Sequence, residues 1–375
     1  MAAHQSWISY FSNLVKQYGG INLAQGIPGF QPPEDLQAAL QKHATKEVHQ
    51  YAPGTGNHQL REHIFGIYKG KISPENHALM VTNGGTEAIH LLYMSFHRDK
   101  SKLKAAAFSP VYESYLHLPR IHGDEFRSLE MDNKDGNLPM RLRHFFETWQ
   151  PDVFFANTPG NPYGNSLDKA SFDTLIELSK TYRCHLLIDA VYDKLYFNKA
   201  PYYPFSDFHD YVYYINSFSK LYSITGWRIG YFFCHPGRFD AIRDIHDYTG
   251  LSTPSVLQAA LADFMETSPQ KSTYVNETRD KIRGNFHAGS KILKSAGFTI
   301  PPADGGYFIW TQLPEGCPDS VTFAKSLYEK HKTAVIPGEH FGKAYQDYIR
   351  INIARPQEEL LAGLKNVSLH AKSGQ

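Results

Sequence analysis

The sequence predicts an α/β fold: an open, mostly parallel sheet flanked by helices, with a smaller α+β domain beside it. Three observations carry that expectation. Apolar, strand-like runs recur along the chain, and three of them run directly into Asn157, Asp189 and Lys220, spaced by 32 and then 31 residues. A spacing near thirty is one strand–helix unit of a βαβ repeat. The stretches between have helical periodicity; over 166–182, Phe172, Leu175 and Ile176 share one face. At 375 residues the chain also has the length for one large α/β domain and a companion. In an open parallel sheet ligands bind beyond the carboxyl ends of the strands, where these three polar residues fall.

Composition narrows the function classes. Hydrophobic residues make up 42% and charged residues 20%, the balance of an ordinary soluble globular protein. A net charge of +1 without a basic block gives no reason to expect nucleic acid. No apolar run approaches the roughly 20 residues that cross a bilayer, and the opening Met-Ala-Ala-His-Gln-Ser-Trp-Ile does not read as a secretion signal. Cys184, Cys234 and Cys317 are too scattered for a disulfide framework or a zinc site. The 19 histidines show no spacing that completes a metal site. A cytoplasmic enzyme without a metal is the expectation.

Taken in order, residues 1–41 open with an amphipathic segment and pass into a Gly/Pro-rich loop, 21–33, with no regular element. Tyr51-Ala-Pro-Gly-Thr-Gly56 has neither a preceding strand nor a third glycine at the needed spacing, which excludes a dinucleotide loop. Residues 79–89 read as strand, glycine turn and helix start, and Ile89, Leu92, Tyr93 and Phe96 give that helix one buried face. Its N-terminus offers unpaired N–H groups to a phosphate, with Gly85 and Thr86 as the candidates. Residues 105–112 and 152–164 are each an apolar strand running into a turn.

Residues 185–192 contain a buried strand ending on Asp189, whose charge needs a cationic partner. Strands follow at 211–216 and 229–234, and a long amphipathic helix at 276–294 presents Ile282, Phe286 and Leu293. Short strands are expected at 305–310, 333–338 and 348–354. In the last, Arg350, Asn352 and Ala354 share one face and Ile349, Ile351 and Ile353 the other. Arg350 reads either as a bidentate fork for a carboxylate or as one arm of a structural ion pair.

The chemistry concentrates in Ser217-Phe-Ser-Lys-Leu-Tyr-Ser-Ile-Thr-Gly-Trp-Arg-Ile-Gly230. Lys220 stands where a core strand ends; desolvation lowers a lysine's pKa, and a free amine forms a Schiff base with an aldehyde. Ser217, Ser219 and Arg228 lie close by in sequence and suit a phosphate dianion. Singly, Lys220 reads as a surface lysine and Arg228 as an ion-pair partner. Together they point to an aldehyde bearing a phosphate, pyridoxal 5′-phosphate (PLP). The pattern Ser-x-Ser-Lys followed by Gly-x-Arg-x-Gly resembles the PLP-lysine signature of class I/II aminotransferases, the aspartate-aminotransferase fold family. The resemblance runs from about Gly26 to Arg350, with the motifs in the family's order.

What the resemblance implies can be stated residue by residue. The fold would be the fold-type I PLP-dependent transferase, with a seven-stranded sheet in a large domain over 42–280 and a small domain formed by 1–41 and 281–375. Lys220 is then the catalytic lysine and proton carrier. Gly85, Thr86, Ser217, Ser219 and Arg228 anchor the phosphate, and Tyr112 stacks on the pyridine. Asp189 pairs with the ring nitrogen, followed by Ala190 where the family usually has glutamate. Tyr192 and Asn161 contact the phenolic oxygen, and Asn157 ties its loop together. Gly26, Ile27, Asn161 and Arg350 bind substrate, with Phe30 and Tyr163 at the pocket edge. Tyr51 matches a tyrosine that reaches the neighbouring subunit's cofactor phosphate, implying a homodimer with shared active sites and an interface segment at 251–260. A tyrosine packed in its own loop is the plainer reading of Tyr51. The 22–30 loop looks like that of the kynurenine/glutamine/methionine/aromatic branch. The implied activity moves the amino group of such an L-amino acid to a 2-oxo acid by a ping-pong mechanism, with dicarboxylic donors left open. A PLP-dependent carbon–sulfur β-lyase is the alternative; a non-catalytic PLP-binding regulator is a more distant one.

Overall fold

The computed structural model describes residues 6–131 and 136–373. A helix, Trp7–Tyr18, precedes the two-residue strand β1 (Ile21–Asn22). The strands that follow are β2 (Ala78–Thr82), β3 (Lys104–Ser109), β4 (Glu125–Glu130), β5 (Val153–Asn157), β6 (His185–Asp189), β7 (Val212–Ser217) and β8 (Gly230–Cys234). These seven form one sheet in the order β2-β8-β7-β6-β5-β3-β4. Only β8 runs antiparallel to its neighbours. It returns from the Lys220 segment directly beside β7, as a connection too short for a crossover requires.

Helices cover both faces of the sheet, so its central strands are apolar throughout rather than alternating. Met80, Ala107, Phe155, Leu187, Ile215 and Phe232 enter one core, while Val81, Phe108, Phe154, Ile188, Tyr214 and Phe233 enter the other. The helix expected over 166–182 begins at Lys169, because the Asp168 carboxylate accepts the Ser171 N–H at 2.7 Å and caps it. The long helix extends back to Gln270, whose N–H donates to Ser268 Oγ at 2.9 Å.

The C-terminal region carries β9 (Phe308–Gln312), β10 (Thr333–Ala334), β11 (Ile336–Pro337) and β12 (Tyr348–Asn352). The strand expected at 305–310 is shifted toward the C-terminus, and Gly305 makes an isolated bridge to Tyr196 instead. The run 333–338 is two strands, not one. Its first half pairs in parallel with β1 and its second half antiparallel with β12, so the chain changes sheets at Val335. The N-terminal segment is thus tied to the C-terminal region, Ile21 pairing with Thr333. Side chains on β12 hold the following loop: Asn352 Nδ2 donates to Gln25 O at 2.7 Å and to Ile27 O at 2.8 Å. No helix among the described residues is long and apolar enough to cross a membrane.

Candidate active site

The carboxyl ends of the central strands lie in register, with Asn157 opposite Asp189 and Asp189 opposite Ile215. The chain leaves β7 through Ser217 into a single helical turn, Phe218–Leu221, which carries Lys220 into a cavity of about 290 Å³. Asn157, Asn161, Asp189, Tyr192 and Tyr112 line it from the sheet side. Gly26, Ile27 and Arg350 line it from the N-terminal loop and β12. Gly85, Thr86, Ser217, Ser219 and Arg228 complete its other end. Residues up to 342 positions apart in the chain therefore share one cleft, Ile8 and Arg350 being the extremes.

Three charged groups set the electrostatics. Lys220 Nζ donates to Gly26 O, and Tyr307 Oη donates to Lys220 O at 2.5 Å. Burial, then the Arg350 and Arg228 charges, bring the Lys220 amine down to about 8, with Asp189 acting in the other direction. Asp189 is buried, and desolvation holds its pKa above the ordinary carboxylate value. The Tyr115 hydroxyl, donating to Asp189 Oδ2 at 2.5 Å, and the Val191 N–H at 3.3 Å oppose that shift.

Arg350 is 1% exposed, its guanidinium lying 4.2 Å from the Phe308 ring centroid and 5.2 Å from that of Phe341. Nη1 donates to Asn161 Oδ1 at 3.0 Å and Nη2 to Ala24 O at 2.5 Å. Nε has no hydrogen-bond partner among the described residues. Burial lowers this group's pKa to about 10, against the pull of Tyr192, Glu113 and Tyr112.

At the opposite end, helix Gly85–Phe96 starts at Gly84, which has φ +81° and no side-chain cap. A Cβ on Gly84 would stand 2.4 Å from Arg228 Nη2, and one on Gly230 would stand 2.5 Å from the Gly84 carbonyl carbon. Only glycine at both places lets β8 and Arg228 close on the helix start. Arg228 donates to Thr225 O at 3.0 Å and Asn83 O at 3.1 Å. The two serines divide. Ser217 Oγ donates to Ile229 O at 3.1 Å and accepts the Ser219 N–H, whereas Ser219 Oγ is buried without a partner among the described residues.

Phe30 and Tyr163 lie elsewhere than expected, and Tyr51 is the residue expected at the neighbouring subunit's site rather than at this one. Tyr51 is outside the cavity, 83% exposed, beside the segment Leu251–Val256. Phe30 does not border the cavity; it lines a separate groove with Lys281 and Arg355. Tyr163 is tucked under its own turn, where a Cβ on Gly160 would meet its ring at 2.2 Å, and its hydroxyl donates to Asn157 O at 3.2 Å. It props the turn rather than shaping a pocket edge. Asn157 holds that turn as well, donating to Asp189 O at 3.0 Å and accepting the Asn161 N–H at 2.6 Å. Tyr115, Ile8, Glu113 and Phe308 belong to the site or its support without having been singled out in the sequence. Tyr115 carried one signal, its position one helical turn beyond Tyr112.

Solved structures show the same fold. An aspartate aminotransferase from Thermus thermophilus with maleate superposes with a TM-score of 0.88 at 23% identity, covering 98% of this chain and 97% of that one. The aromatic aminotransferase from Pyrococcus horikoshii gives 0.86 at 22% identity, over 98% and 99%. The family model for aminotransferase class I and II matches residues 18–366. The chain therefore belongs to the class I and II aminotransferases, enzymes that use PLP to move amino groups between amino acids and 2-oxo acids. Among curated relatives, a probable aspartate aminotransferase from Methanocaldococcus jannaschii is 28% identical over 91% of this chain and 90% of its own length. The methionine aminotransferase of Escherichia coli is 26% identical over 95% and 93%.

The residues present fit PLP. An uncapped helix N-terminus beside an unpartnered buried hydroxyl, Ser219 Oγ, suits a phosphate. A desolvated carboxylate at Asp189 suits a ring cation, and an amine of lowered pKa at Lys220 suits an aldehyde. Tyr115→Phe removes the strongest hydrogen bond opposing protonation of Asp189. It is expected to weaken PLP retention about tenfold, the scale of one hydrogen bond to a charged group, as read by equilibrium titration of the apoprotein.

Proposed function

We propose that this aminotransferase takes its amino group from L-amino acids with aromatic, methionine or glutamine side chains and passes it to a 2-oxo acid by a ping-pong mechanism. The observation that carries the reading is the pairing, across one cavity, of an amine of depressed pKa (Lys220) with a buried guanidinium that keeps a free donor (Arg350 Nε). When bound, PLP supplies an aldehyde for the amino group and a pyridine ring that takes up the electrons of the α-carbon.

The chain's own groups do the rest. Arg350, with the Asn161 amide, holds the substrate carboxylate and so orients the α-carbon. Lys220, as a free amine, would take the α-proton and hold it for return, acting as base and then as acid. Asp189 keeps a proton on the ring nitrogen, supported by Tyr115. Gly85, Thr86, Ser217, Ser219 and Arg228 anchor the phosphate, Tyr112 covers the ring, and Tyr192 and Asn161 serve its phenolic oxygen. Gly26 and Ile27 close the substrate side.

The side-chain class is supported by the apolar wall of Ile8, Ile27 and Phe308 and by the likeness to a methionine aminotransferase. The same reading takes residues 42–280 as the large domain and 1–41 with 281–375 as the small one, supported by the pairing of Ile21 with Thr333. It makes the enzyme a homodimer in which Tyr51 completes the partner's phosphate site. The exposure of Tyr51, Tyr248 and Leu251 supports that assembly.

The test is a half-reaction screen of the PLP-loaded enzyme against single amino acids, followed by the loss of the cofactor's visible band. Methionine, glutamine, phenylalanine or tyrosine should convert the cofactor and leave the matching 2-oxo acid. Release of pyruvate and ammonia from cystathionine without an oxo-acid acceptor would instead make it a β-lyase.

A further inference from the structure

The cavity contains one carboxylate besides Asp189. Glu113 is the first residue of helix Glu113–His122, directly after Tyr112, and lines the cavity together with Arg350, Ile8, Ile27 and Phe308. One hydrogen bond holds it in place. Ser6 Oγ donates to Glu113 Oε2 at 2.7 Å, and His340 Nε2 stands 3.3 Å from the same oxygen. Both contacts fall on Oε2, so Oε1 keeps its acceptor capacity among the described residues.

Of the groups facing Glu113, Arg350 is the one whose charge interacts favourably with it. His340 is held neutral, at about 3, by burial and by the Arg350 and His117 charges, so its contact with Glu113 is not an ion pair. Arg350 feels that charge, its own pKa being pulled up by Glu113, and two of its nitrogens donate to Asn161 and Ala24. A substrate's α-carboxylate engages that arginine further. What remains for the substrate side chain is an apolar wall with a fixed negative charge on it.

We propose that Glu113 is a specificity-determining residue of the amino-donor pocket. It selects against side chains ending in a second carboxylate and for neutral ones, favouring among these a side chain that brings an N–H donor, such as a primary amide or an aromatic amine. The inference rests on the transaminase reading above and narrows its substrate class. Two like charges brought close in a partly desolvated site repel strongly enough to change affinity about tenfold to a hundredfold. A partly shielded acceptor also rewards the ligand that satisfies it.

The experiment uses the PLP-loaded enzyme and single-turnover half-reactions with methionine, glutamine and glutamate, comparing wild type, Glu113→Gln and Glu113→Asp. The readout is the ratio of kcat/KM for glutamate to that for methionine. Glu113→Gln should raise it at least tenfold, mainly through a lower KM for glutamate. Glu113→Asp, which keeps the charge, should hold the ratio near the wild-type value. Retention of the cofactor's visible band reports that each variant is folded and loaded. An unchanged ratio in Glu113→Gln overturns the proposal, as does an equal rise in both variants, which would make shape rather than charge the cause. Failure of the wild type to convert any of the three would fall on the transaminase reading instead.

Discussion

Lys220→Ala is expected to slow the amino-donor half-reaction by about 10²–10⁴-fold, the usual contribution of a positioned proton carrier. Borohydride treatment of PLP-loaded wild type should label the peptide bearing Lys220; the variant should yield no labelled peptide. The depressed pKa adds a second readout. At about 8, Lys220 holds roughly a tenth of its population as free amine at pH 7. Only the free amine captures an aldehyde. The rate at which the apoprotein loads PLP should therefore climb about tenfold per pH unit below 8 and level off above it. A loading rate flat between pH 6 and 9, or a label on another lysine, would remove Lys220 from its role.

Much of this site was legible because its residues fall at strand ends. Asn157 and Asp189 each close a run of buried apolar residues, Ser217 closes the buried strand that leads to Lys220, and a strand that ends at the same height as its neighbour delivers its last side chain to the same edge. Arg350 was readable from alternation along β12, one face apolar and the other carrying Arg350 and Asn352. What the sequence hid is what depends on contacts between distant segments. Glu113 meets Ser6 and His340, residues 107 positions before it and 227 after it, with no local pattern to join them.

Phe30 and Tyr163 show the reverse error. Each sits in a loop that borders the site, but the direction of a loop side chain follows from its local turn and packing, not from its place in the chain. Tyr163 turns inward over Gly160, which has no side chain to oppose the ring. The division of 333–338 between two sheets was hidden for a related reason: an apolar run states that it is buried, not which partner it pairs with.

Asp189→Asn is expected to move stability and activity in opposite directions. The native apoprotein holds the Asp189 proton more tightly than the unfolded chain does, because burial raises its pKa. Its favourable contribution is therefore full below the ordinary carboxylate range and is lost as pH rises through the folded pKa. At neutral pH the apoprotein carries the penalty of that buried charge, and an amide relieves it. The melting temperature of the apo variant should rise at pH 7.5, by something on the order of 1–3 °C, and the gain should vanish near pH 4. The PLP-loaded variant should lose about 10²–10³-fold in the half-reaction, the scale for removing one preorganised electrostatic partner. Calorimetry of the apo and loaded proteins at both pH values, with single-turnover kinetics, reads both effects. A variant less stable at both pH values with unimpaired turnover would make Asp189 a structural residue. The opposite pair of signs would show a carboxylate kept at a cost to the empty protein because its charge is needed once the ring cation arrives.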